Sequence, residues 1–124
     1  MTSTHAVSLA LPVSQLCTQS QFGEPCYAYW CREIREVPRY HRKQWEFAYI
    51  CQALAIHGML APERRGIGFG VGREPLAALF ASRGCQITAT DLETDAAKTK
   101  GWVGTDQHAT QAAILNDRGI CPSD

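Results

Sequence analysis

Long apolar runs are missing from this sequence. No stretch approaches the roughly 20 consecutive apolar residues that a membrane helix requires, so no spanning segment is expected. A secretory leader is not expected either: "MTSTHAVSLALPVSQL" has no basic start, and Pro12 breaks its short apolar run. An excess of one charge is also lacking. Twelve basic and twelve acidic residues cancel over 124 positions, which leaves no electrostatic footprint for nucleic acid or an anionic membrane. The basic spots at 39–43 and at Arg64 with Arg65 read as solvated helix or loop positions.

Metal-ligand spacing is absent as well. The six cysteines, Cys17, Cys26, Cys31, Cys51, Cys85 and Cys121, form no CxxC pair. Cys26 and Cys31 are separated by four residues, without a matching second pair. A zinc site needs two close pairs or a Cys/His set at ligand spacing. His41 and His57 are too far apart to share a turn, and His5 and His108 lie elsewhere. No metal is therefore expected. Cys51 and Cys85 fall in apolar runs and read as buried thiols. These features together predict a reducing, cytoplasmic setting.

What is present suits a globular domain. A hydrophobic content of 45% with 19% charged residues is ordinary for a soluble protein, and the length fits one domain with a core of its own. Residues 1–24 are rich in Ser, Thr and Gln, end in the turn formers "SQFGEP", and read as a loosely ordered arm. Residues 25–124 read as a helical lead-in followed by half of an α/β domain. "CYAYWCREIREV" (26–37) predicts a short helix stopped by Pro38. In "RYHRKQWEFAYICQALAIHGML", Phe47, Ile50, Cys51 and Leu54 fall at i, i+3, i+4 and i+7, the stripe of an amphipathic helix. Gly58 and Pro62 close that helix.

The second half alternates strand and helix signals. "RRGIGFGVG" predicts a short strand running into a glycine turn, and "EPLAALFASRG" a helix. Pro75 is tolerated in its first turn, Leu76, Leu79 and Phe80 form its stripe, and Gly84 suits a left-handed C-terminal cap. "CQITATDL" predicts a strand ending at Asp91. "ETDAAKTKGW" reads as a short helix or turn. "TDQHATQAAILNDRGI" reads as a further helix, with Thr105 or Asp106 as N-cap and Gly119 near its end. The informative part of this order is the βαβ unit.

A glycine turn between a strand and a helix lets backbone and ligand approach closely, because no Cβ intervenes. The helix that starts there offers unpaired N–H groups and partial positive charge. An acid ending the next strand can accept both hydroxyls of a ribose. Asp91 lies 19 positions after Gly72, about the helix-plus-strand length this geometry requires. A dinucleotide GxGxxG fails in both frames, since its third glycine would fall on Arg73 or on Val71. A P-loop fails too, for want of GK[ST]. What remains is GxGxG at Gly68, Gly70 and Gly72, followed by the acid.

That arrangement resembles the first two motifs of class I, Rossmann-like S-adenosylmethionine-dependent methyltransferases. "EFAYICQAL", "GIGFGVGREPLAALFASRGCQITATDL", "GWVGTDQHA" and "GIC" extend the resemblance over roughly residues 25–122, toward a bacterial group of such enzymes. The resemblance implies a partial Rossmann-like methyltransferase fold, with S-adenosyl-L-methionine as cofactor. Gly68, Phe69, Gly70 and Gly72 would line the cofactor, Asp91 would hold its ribose, and Leu92 would lie near the adenine. The group's glycan and surface-polysaccharide contexts imply a glycan-related methyl acceptor. One position departs from the pattern. Two residues before the first motif glycine, such enzymes carry an acid that orients the loop and reaches the methionine amino group, and here stands Gly66. Glu74 is a candidate substitute for that charge.

The resemblance also predicts that this chain is an N-terminal, donor-binding fragment, since only the first two strands of a seven-stranded sheet are expected. Such a sheet would have open edges, through which self-association is expected. No catalytic residue is assigned. Gln44, Trp45 and Tyr49 are candidates for the methionine end, and Trp102 for covering the adenine. His108 reads as a first-turn helix residue. Two alternatives stay open: a dinucleotide (NAD) binder, and a non-catalytic Rossmann-like binding or interaction module.

Overall fold

In a computed structural model of the protein, the residues described are 7–68, 74–89, 116 and 118–121. The chain divides into two compact units, 1–59 and 60–124. The predicted 105–119 helix lies almost wholly outside the described residues.

Proline and histidine open the two helices of the first unit. Helix α1 spans Pro25–Glu33 with Pro25 in its first turn, where a missing N–H costs no intrahelical bond. Helix α2 spans Arg42–Ile56, and the His41 Nδ1 caps it by accepting from the Lys43 amide at 3.1 Å. Both end in the same turn. At the end of α2, Gly58 has φ +70°, its amide donates to Ala55 O, and the Met59 amide donates to Leu54 O at 2.9 Å. These are the two bonds of a Schellman motif. At the end of α1 the same two bonds run from Arg35 to Arg32 O and from Glu36 to Cys31 O, with Arg35 at φ +62°. The helix predicted over 26–37 therefore stops at Glu33, before Pro38 can act.

The core of this unit combines apolar contact with two buried amides. Leu9, Tyr27, Trp30, Cys31, Ile34, Phe47, Ala48 and Cys51 are buried, and so are Gln21 and Gln44. The packed face of α2 runs through Gln44, Phe47, Ala48 and Cys51, the spacing of one helix face. Ile50 falls beside that face and is 38% exposed. Gln44 uses every hydrogen-bonding position of its amide. Its oxygen accepts from the Tyr27 hydroxyl (2.6 Å) and the Arg39 amide (2.8 Å), and its nitrogen donates to Glu36 and Val37 O. Gln21, in the 3-10 turn Gln19–Gly23, does the same. It accepts from Gln15 and the Trp45 indole and donates to Leu16 O and Thr18 Oγ1. Among the described residues no buried side-chain polar atom is left without a partner, which is what burial of an amide demands.

The arm expected over 1–24 is tied down in its described part. The Glu24 carboxylate accepts from the Ser8 hydroxyl and from the amides of Leu9 and Ala10, all at 2.8–3.0 Å. Leu9 is fully buried, a burial that stabilises by about 1.5–3 kcal/mol.

The second unit is mixed helix and strand. Strand β1 (Arg65–Gly68) leads through the glycine stretch to α3 (Leu76–Ser82), which returns to β2 (Gln86–Ala89). The strands are parallel and adjacent, paired Arg65 with Gln86 through Gly68 with Ala89. Pro75 stands just ahead of α3 and is buried, while Ala78 and Leu79 form the helix's buried face. Gly84, at φ +96°, provides the predicted left-handed cap, with its amide on Ala81 O and the Cys85 amide on Phe80 O. Among the described residues no helix is long and apolar enough to cross a membrane.

Candidate functional site

The site expected from the sequence begins where β1 ends. Alternation in the two strands places Gly66, Gly68, Ile87 and Ala89 on the more covered face, and Arg65, Ile67, Gln86 and Thr88 on the exposed one. On its covered face β1 therefore presents only backbone. A Cβ added at Gly66 would stand 3.1 Å from Ile87 Cδ1. The neighbouring strand's isoleucine thus lies across the side-chain position of Gly66.

Parallel pairing in register brings Gly68 and Ala89 side by side at the carboxyl edge. From that edge the chain continues into "FGVGR" after Gly68 and "TDL" after Ala89. Phe69, Gly70, Gly72, Asp91 and Leu92 lie outside the described residues, as do Trp102 and His108. Gly68 is thus the one expected cofactor-lining residue that the structure places, at the end of β1. Glu74 is half-buried, two positions ahead of the first residue of α3.

The α2 candidates for the methionine end are occupied within the first unit. Gln44 has its four partners, the Trp45 indole donates to Gln21 at 2.8 Å, and the Tyr49 hydroxyl donates to Val13 O. Trp45 and Tyr49 also stack on each other, with ring centroids 5.1 Å apart. Sequence periodicity gave no hint of these attachments, because a buried glutamine looks like a solvent-facing one until its partners are placed.

Among the described residues the thiols and imidazoles form no ligand set. All six cysteines are thiols, with Cys31, Cys51 and Cys85 buried. Burial pushes the Cys31 thiol up to about 11, against a smaller opposing effect of its hydrogen bond with Tyr27. The Tyr27 phenol is likewise raised, mainly by burial and then by the neighbouring Cys31. His41 and His57 flank opposite ends of the 15-residue α2, which at 1.5 Å per residue is about 22 Å long. Among the described residues no group of three or more His, Cys, Asp or Glu could hold a metal ion. No protein-family model, curated protein or solved structure matches the chain.

Proposed function

We propose that the second unit is the S-adenosylmethionine-binding portion of a class I, Rossmann-like methyltransferase. One observation carries the reading. Two adjacent parallel strands, joined through α3, end in register at Gly68 and Ala89. GxGxG begins at Gly68, and Asp91 follows Ala89 by two positions. A ligand beyond the carboxyl edge of such a pair meets a backbone loop from one strand and a carboxylate from the other.

In this reading Gly68, Phe69, Gly70 and Gly72 cradle the cofactor, Asp91 accepts the ribose hydroxyls, and Leu92 borders the adenine. Methyl transfer is a direct displacement at the sulfonium carbon: the carbon–sulfur bond breaks as the acceptor's bond forms, and S-adenosylhomocysteine leaves. Alignment of donor and acceptor supplies much of the rate in such a step. The residues named here position the donor.

A second reading, a module that binds without catalysis, is favoured by Gly66, because the covered face of β1 offers no carboxylate to an ammonium group. Titration calorimetry with S-adenosylmethionine and with NAD separates the readings. Saturable binding of the first is expected, weakened about tenfold or more in Asp91→Ala by loss of charge-assisted hydrogen bonds. Binding of NAD alone contradicts the proposal. Binding of neither by a folded chain favours a cofactor-free interaction module.

A further inference from the structure

The side chains that hold the N-terminal segment fall into two groups. Gln21, fully buried, donates to Leu16 O at 2.8 Å and to Thr18 Oγ1 at 3.0 Å, and so fixes the chain where it joins the 3-10 turn. Ahead of that point, residues 8–15 are held mainly through their backbone. Gln52 donates to Ala10 O at 2.9 Å, the Tyr49 hydroxyl donates to Val13 O, and Gln15 donates to Gln21. Three further contacts, from the Ser8 hydroxyl and the amides of Leu9 and Ala10, all end on the one carboxylate of Glu24. Leu9 is the single large side chain of the segment that is buried; Leu11 and Val13 are 72% and 61% exposed.

The helices beneath have their own connections. Tyr27 to Gln44, Trp30 to Gln52 and Trp45 to Gln21 use no residue of the segment. When the segment lifts away, Gln52 keeps Trp30, Gln21 keeps its three other partners, and the Tyr49 hydroxyl, at an exposed contact, turns to water. No buried polar atom of the helical pair is orphaned by opening, so the usual penalty for breaking a polar network does not apply.

We propose that residues 8–15 are a strap whose main polar latch is Glu24, supplemented by the outer ties of Gln52 and Tyr49 and by the buried Leu9, and that it pivots at the point held by Gln21. Its opening uncovers the Leu9 site and the Gln52 side of α2 while the helical pair stays folded. The strap is a conformational device of the first unit and does not depend on the cofactor reading of the second.

Amide hydrogen exchange on the full chain tests it, because exchange reports local opening separately from global unfolding. Glu24 makes no side-chain cap to α1, so Glu24→Ala removes the latch without uncapping the helix. The Leu9 and Ala10 amides lose their own acceptor in this variant, so opening is read instead from limited proteolysis within residues 8–15, which tracks the open population. Cleavage there about tenfold or more faster is expected, from loss of the charge-assisted bonds, with amide exchange at Ala48 and Cys51 in α2 essentially unchanged. Unchanged cleavage within 8–15 overturns the proposal. So does equal acceleration of exchange in α2, which makes the segment part of the helical pair's cooperative fold. Tyr49→Phe removes one outer tie and is expected to change the cleavage rate by less than about threefold. If it releases the segment as fully as Glu24→Ala, Glu24 is not the main latch.

Discussion

Gln44 shows how a polar residue can hold a small core together. Its amide joins Tyr27 of α1, the Arg39 amide, Glu36 and Val37 O, so one side chain fixes the connection between the helices as well as their contact. Truncation takes away the Arg39 amide's acceptor and one partner each from Val37 O and the Tyr27 hydroxyl, which keeps Arg39 O; a group so deprived is worth about 1–3 kcal/mol when buried and less when water can reach it. Gln44→Ala is therefore expected to lower unfolding stability by about 2–3 kcal/mol, read from the urea midpoint at unchanged slope. Cys31 makes a prediction about pH. Its thiol rises from 9.0 to about 11 in the folded chain, so the folded state keeps a proton that the unfolded state gives up. Stability from this group is complete below pH 9 and falls as pH climbs from 9 toward 11. The elevated Tyr27 acts in the same direction at higher pH. Urea titrations across this window should show the decline, and Cys31→Ala should make it shallower.

Each helix ends in a Schellman turn, and these turns show what sequence patterning can reveal. Gly58 and Gly84 were legible as stops because glycine takes positive φ without a Cβ penalty. Arg35 was not, because nothing in an arginine signals the left-handed conformation it adopts at φ +62°. Helix α2 was legible as an element, and Phe47 and Cys51 of its expected stripe are buried, but the packed face is rotated away from Ile50. Counting apolar residues placed Ile50 in the stripe, whereas the packed face is centred toward the buried Gln44. The same limit hid the strap, since backbone acceptors and a Glu24 clasp leave no periodic mark. Gly84 carries the sharpest prediction at this scale. At φ +96°, an added Cβ would meet Pro62 Cγ, Cα and N at 3.0–3.2 Å, and two of those atoms are backbone. Gly84→Ala is expected to cost about 2 kcal/mol and to lower the thermal midpoint followed by circular dichroism.

At the scale of the whole molecule, the two units are built on different principles. The first is a helical pair with a buried amide network. The second is a βαβ arrangement whose parallel strands share one carboxyl edge. The βαβ order was readable because glycine and β-branched residues mark its turns and strands. The cofactor assignment rests on sequence beyond that edge, at the glycine loop and Asp91. Mapping amide chemical shifts during titration with S-adenosylhomocysteine is the most direct test. Saturable shifts concentrated at residues 66–72 and 89–92 are expected. Shifts centred on Trp45 and Tyr49, or none at saturating ligand, would contradict the assignment.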